Sequence, residues 1–99
     1  MEKVDIANKV LEKLKTLPDG TENSITGLLK ELFEEAEYDR QSATFVFSDF
    51  ELKNEDLFDI YIDVSNKAKE EKILLDFSKY DGQRVGLPYN IPFVKGTIE

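Results

Sequence analysis

The stretch NEDLFDIYIDVSNKAKEEKILLDF, residues 54–77, decides the fold because its apolar residues change period within it. As far as residue 71 they recur at intervals of three and four, as they do along one face of an α-helix. The members of this stripe are Leu57, Ile60, Tyr61, Val64 and Ala68, and Phe58 and Ile62 widen it. We therefore predict a central helix over residues 55–71, with Asn54 as its N-cap.

From Ile73 the period becomes two, with Ile73, Leu75 and Phe77 on one face, which is typical of a β-strand. The pair Asp81-Gly82 is a turn signal for a hairpin, and the alternation resumes from Val85 to Tyr89. Two later prolines, Pro88 and Pro92, cannot donate hydrogen bonds to a strand ladder. The sequence thus predicts a β-hairpin with an irregular or edge extension over residues 73–98.

Two more helices are predicted before the central one. Apolar residues fall on one stripe over residues 3–16, and a turn rich in Pro and Gly follows. Ser24 is a suitable N-cap for a second helix over residues 25–37, whose apolar face includes Leu28, Leu29 and Phe33. Residues 43–47, rich in Phe and Val, predict a short strand or an extended loop.

The predicted order is helix, helix, short strand, helix and hairpin. It resembles the winged-helix layout, in which a three-helix cluster carries a C-terminal β-hairpin called the wing. The resemblance covers most of the chain in order and lengths, although the usual layout places its short strand before the second helix. We predict one α+β domain over residues 1–99, a size that can form one modest core.

Composition limits the chemistry. The chain has no Cys and no His, which excludes disulfides and thiolate metal sites and removes the most frequent general base. No Gly-Lys-Ser, Gly-Lys-Thr or Ser-x-x-Lys motif is present, and the acidic cluster around Glu34 and Glu35 matches no calcium loop. We expect no enzymatic activity, no cofactor and no bound metal.

The N-terminus carries charges instead of a signal-like apolar run, and no segment is apolar enough to cross a bilayer. The expected location is therefore the cytoplasm. The excess of Lys over Arg, with abundant Ile and Asn, is typical of AT-rich bacterial genomes.

The net charge of −8 disfavours nucleic acid and anionic membranes as partners. The first residues of the central helix would meet the DNA groove in a winged-helix reader, yet Glu55, Asp59 and Asp63 form an acidic ridge there. The candidate nucleic-acid contacts that remain are Lys72, Lys79 and Arg84. An atypical nucleic-acid binder using the wing is therefore the alternative function, and mimicry of DNA by the acidic ridge is another.

Protein–protein contact is the preferred function. The C-terminal segment is rich in aromatic and apolar residues, and the even-numbered positions of the hairpin would face outward. The candidate interface residues are Leu74, Tyr80, Tyr89, Val94 and Ile98. We expect a non-enzymatic interaction or regulatory module, and homodimerisation is the simplest form of such contact.

Overall fold

The computed structural model describes residues 2–42, 44–47, 50–80 and 88–98. It contains three α-helices and two small antiparallel sheets, which confirms the predicted α+β class with a helix cluster and a C-terminal hairpin. The helices are α1 (Lys3–Thr16), α2 (Ile25–Leu32) and α3 (Asn54–Glu70). The strands are β1 (Glu22–Asn23), β2 (Glu37–Asp39), β3 (Thr44–Val46), β4 (Glu51–Leu52), β5 (Ile73–Asp76) and β6 (Phe93–Thr97).

The core lies where the helices meet the sheets. Helix α3 contributes its most buried stripe, Leu57, Ile60, Val64 and Ala68, and packs against α1 on one side and β5 on the other. Helices α1 and α2 bury the apolar faces that their spacing predicts. Phe45 and Phe93, each 0% exposed, bring the two sheets into the same core.

One sheet, here called the C-terminal sheet, has the strand order β1-β6-β5. Leu74 lies opposite Gly96, and Glu22 lies opposite Val94. The short strand β1 precedes α2 and pairs with β6.

The structure corrects the predicted position of the hairpin's return strand. The strand that pairs with β5 is Phe93–Thr97, whereas Tyr89 belongs to a short 3-10 turn, Pro88–Asn90. The predicted Asp81-Gly82 turn, Val85 and Leu87 lie outside the described residues. Because proline has no N–H to donate, the strand begins only after Pro92.

A second sheet, β2-β3-β4, is inserted between α2 and α3. Its middle strand lies within the predicted strand 43–47 and pairs with β2 and β4, not with the hairpin. Helix α2 was predicted to reach residue 37 but ends at Leu32, and Glu37 to Asp39 form a strand. Carboxylates at 34, 35 and 37 would lie at the negative end of the helix dipole, so continuing the helix is unfavourable.

The N-terminus of α3 also differs by one residue from the prediction. Asn54 is the first helical residue rather than the cap, which is Lys53. The carboxylate of Asp56 accepts a hydrogen bond from the Lys53 backbone N–H at 2.9 Å. Glu55 and Asp56 occupy the first turn, where the helix dipole favours negative charge.

Candidate protein-binding surface

Helix α3 exposes two large apolar side chains. Phe58 is 47% exposed and Ile62 is 43% exposed. They are four residues apart, so they lie on one face of the helix, beside the buried stripe instead of within it. The sequence analysis assigned both to a widened core face, and the structure corrects this because α1 and the C-terminal sheet cover only the narrower stripe.

An apolar groove of about 190 Å³ lies next to this face, between α3 and β5. Tyr61 and Ser65 line it from the helix, Leu74 and Phe77 from β5 and the residues after it, and Ile98 from the C-terminal end. Leu74 is 41% exposed. We call Phe58, Tyr61, Ile62, Leu74 and Ile98 together the apolar surface.

Leu74 has a glycine as its neighbour on the adjacent strand. Gly96 is directly opposite Leu74 in the register. A Cβ atom at Gly96 would lie 3.6 Å from Leu74 Cδ2, which is ordinary van der Waals contact. The side chain of Leu74 therefore packs beside Gly96, which has no side chain.

Carboxylates border the apolar surface on the outer side of α3. Glu55, Asp59 and Asp63 follow one another at four-residue spacing, as the sequence predicts. Lys3 Nζ lies 2.8 Å from Asp59 and Lys67 Nζ lies 3.3 Å from Asp63. Such exposed pairs contribute little to stability, so a partner's cation can replace them at small cost.

The candidate interface residues from the sequence do not all belong to this surface. Leu74 and Ile98 line the groove together, whereas Val94 is half-buried. Tyr80 is half-buried, and its hydroxyl donates to Glu22. Tyr89 is only 1% exposed, because its 3-10 turn packs against α2 and α3, so a partner cannot reach it.

Burial also affects the ionisation of Tyr89. Its hydroxyl has no hydrogen-bond partner among the described residues. Burial raises the pKa of the Tyr89 hydroxyl, and the nearby Tyr38 raises it further. The phenol therefore stays neutral and acts as a core side chain.

Two of the three candidate nucleic-acid contacts, Lys72 and Lys79, lie within the described residues. Lys79 Nζ lies 2.7 Å from Glu22, and this hydrogen bond raises the pKa of the lysine and lowers the pKa of the carboxyl. Lys72 is exposed at the turn between α3 and β5, with a φ of 61°. Arg84 lies outside the described residues. The lysine of the predicted wing thus already has a carboxylate partner.

Phe58 and Ile62 are the residues that sequence reasoning missed. A signal was available, because the apolar positions of α3 span a wider arc than its neighbours α1 and β5 can cover. Only the tertiary arrangement shows which edge of that arc remains exposed.

No helix of the described ranges is both long and apolar enough to cross a membrane. Within the same ranges, no group of three or more carboxylates is placed so that it could hold a metal ion. No protein-family model, curated protein or solved structure matches the chain. The functional argument therefore rests on the chain's own geometry.

Proposed function

We propose that this protein is a non-enzymatic, cytoplasmic interaction module whose apolar surface binds a protein partner. The single observation that carries the proposal is that the exposed Phe58 ring lies beside Tyr61, which lines the groove with Leu74 and Ile98; the two ring centroids are 6.4 Å apart. Scattered exposed apolar residues are ordinary, but contiguous ones next to a groove are typical of interaction sites.

The chemistry of the border favours a partner whose apolar face is flanked by basic side chains. Glu55, Asp59 and Asp63 lie beside the apolar surface and would pair with Lys or Arg of such a partner. An amphipathic basic helix has this arrangement, with apolar residues at three- and four-residue spacing that fit a groove.

A second copy of the chain fits the surface less well. Each copy carries a net charge of −8, and a two-fold contact through the apolar surface would bring both acidic ridges together. Like charges across an interface oppose association. We therefore propose a different protein as partner instead of the homodimer.

The strand order β1-β6-β5 supports a winged-helix-like layout as part of the proposal. It does not favour nucleic acid as the partner. The start of α3 presents carboxylates, which repel phosphates.

The test is binding of a synthetic 18-residue peptide with leucines on one helical face and lysines beside them. Fluorescence anisotropy would compare the natural chain with Phe58→Ser, Ile62→Ser and the control Val46→Ser. Val46 is 40% exposed but lies on β3, outside the apolar surface.

About half of the Phe58 side chain is available, and burying roughly 100 Å² at about 25 cal/mol per Å² contributes about 2.5 kcal/mol. We therefore expect Phe58→Ser to weaken binding by roughly 60-fold, Ile62→Ser to weaken it less, and Val46→Ser to leave it unchanged.

Equal affinities for all three variants would refute the proposed surface. Sedimentation equilibrium adds a second test: a dimer that Phe58→Ser dissociates would refute the heterologous partner in favour of a second copy.

A further inference from the structure

A separate cavity of about 420 Å³ lies on another part of the molecule, among α2, β2 and the 3-10 turn Pro88–Asn90. Its volume falls within the usual range for small-molecule sites. None of its lining residues belongs to the apolar surface. The lining residues are Ser24, Thr26, Gly27, Lys30, Tyr38, Arg40 and Asn90.

The hydroxyl groups of Ser24 and Thr26 offer one O–H donor more than the described residues accept. The backbone N–H of Gly27 donates to Ser24 Oγ at 2.9 Å. Ser24 Oγ and Thr26 Oγ1 are 3.1 Å apart and share one hydrogen bond. Two hydroxyls carry two protons, so one O–H is left without an acceptor among the described residues, whichever of the two donates. Thr26 is only 7% exposed and Ser24 is half-buried.

The lining residues Tyr38 and Asn90 add further hydrogen-bond donors to the cavity. The Tyr38 hydroxyl donates to Asn90 Oδ1 at 3.1 Å, and the Asn90 amide hydrogens have no acceptor among the described residues. Lys30 Nζ lies 5.4 Å from the centre of the Tyr38 ring, in cation–π contact. Arg40 adds a planar guanidinium with five N–H donors.

The positive charge of this lining is not cancelled locally. Neither Lys30 nor Arg40 forms an ion pair with any residue of the described ranges. The carboxylates nearest in sequence, Glu31 and Asp39, do not line the cavity. Asp39 accepts hydrogen bonds from the Gln41 N–H and the Ser42 hydroxyl instead.

We propose that this cavity binds a small organic phosphate monoester. A phosphate carries about −1.5 to −2 charges at neutral pH and three acceptor oxygens, which matches two cations and a surplus of donors. A carboxylate, with two oxygens and one charge, would leave more of the donors unpaired. The cavity of about 420 Å³ is many times the volume of about 30 Å³ that one water molecule occupies in the liquid. It therefore exceeds the size of one phosphate group, and space remains for the organic part.

The test is titration of the full chain with phenyl phosphate and, separately, with inorganic phosphate, followed by ¹H–¹⁵N NMR. We expect saturable shifts of the Thr26 and Gly27 amides, with tighter binding of phenyl phosphate than of inorganic phosphate. Arg40→Gln and Lys30→Gln should each weaken binding by about tenfold, since each removes a charge-assisted hydrogen bond.

Lys13→Gln is the matched control, because it removes the same charge from α1 on a residue that does not line the cavity. It should change the affinity less than twofold, roughly the size of an exposed long-range charge effect. Absence of saturable shifts at millimolar phenyl phosphate, or equal weakening by Lys13→Gln and Arg40→Gln, would overturn the site. Equal affinity for inorganic phosphate would overturn the organic ester. None of these results depends on the peptide partner at the apolar surface.

Discussion

Replacing Tyr89 by phenylalanine should stabilise the protein. The tyrosine is 1% exposed, and its hydroxyl has no hydrogen-bond partner among the described residues. Phenylalanine keeps the ring in the core and removes only the unpaired oxygen. The rest of the packing is retained, so the experiment isolates the cost of one buried hydroxyl.

The magnitude follows from the cost of burying an unpaired polar group, which is about 1–3 kcal/mol. Removal of the hydroxyl should recover at least the lower part of this range, about 1 kcal/mol. For a domain of this length, 1 kcal/mol corresponds to a rise in Tm of roughly 4–8 °C.

The matched control is Tyr38→Phe, which removes the same atom from a hydroxyl that does have a partner. Tyr38 donates to Asn90 Oδ1 at 3.1 Å, and such a bond contributes about 0.5–1.5 kcal/mol. The control should therefore lower the free energy of unfolding. Urea denaturation followed by circular dichroism would measure both variants under identical conditions.

The opposite signs of the two variants are the decisive feature. A loss of 1 kcal/mol or more in Tyr89→Phe would show that the Tyr89 hydroxyl has a partner in solution, and would refute the reasoning. Equal effects of the two variants would do the same.

Three further predictions concern the turn after α1 and the start of α2. Ser24→Ala should lower the free energy of unfolding by about 1 kcal/mol, because it removes the oxygen that accepts the Gly27 N–H at 2.9 Å; thermal denaturation measures the loss. Gly27→Ala should also destabilise, although alanine in a helix interior usually gains up to about 1 kcal/mol, because its Cβ would displace Asn23 Oδ1 from its hydrogen bond with the Ser24 N–H at 2.8 Å; a rise in Tm would contradict the close approach. A hydrogen bond from Thr97, and to a smaller extent one from Lys95, lowers the pKa of Asp19. The stability that this carboxylate supplies is therefore fully present above the ordinary carboxyl pKa of about 4, and it is lost as pH falls through the lowered pKa. Asp19→Asn should therefore show a shallower loss of stability below about pH 4 in acid denaturation, and an unchanged slope would count against the pair.

Local patterns were enough to predict the helical framework. The first helix coincides with the predicted span 3–16, and Ser24 caps α2 as its position suggests. These features depend on neighbouring residues: the stripe of apolar side chains, the turn at Pro18 and a hydroxyl three residues before a free N–H.

The features that sequence did not predict depend on distant pairings. Lys95 is 9% exposed although it is charged, because Asp19, far away in sequence, lies 3.1 Å from its ammonium. No local period predicts that a lysine takes an inward position. Likewise, Tyr89 reads as part of an alternating strand, and only its packing against α2 and α3 shows it to be buried.

The same distant pairing determines the shape of the apolar surface. On one side, two backbone hydrogen bonds join strand β6 to the turn after α1. The Gly20 N–H donates to the Lys95 carbonyl at 2.7 Å, and the Lys95 N–H donates to the Thr21 carbonyl at 2.8 Å. On its other side, β6 sets the register of β5, which places Leu74 opposite Gly96. Beyond the strand, the Ile98 N–H donates to the Lys72 carbonyl at 2.9 Å, which brings Ile98 to the groove. Because side chains alternate along a strand, a slip of one residue would move Leu74 to the other face of the sheet. The contacts of Asp19 with Lys95 and Thr97 add to the backbone hydrogen bonds of β6, on whose register the proposed binding surface depends.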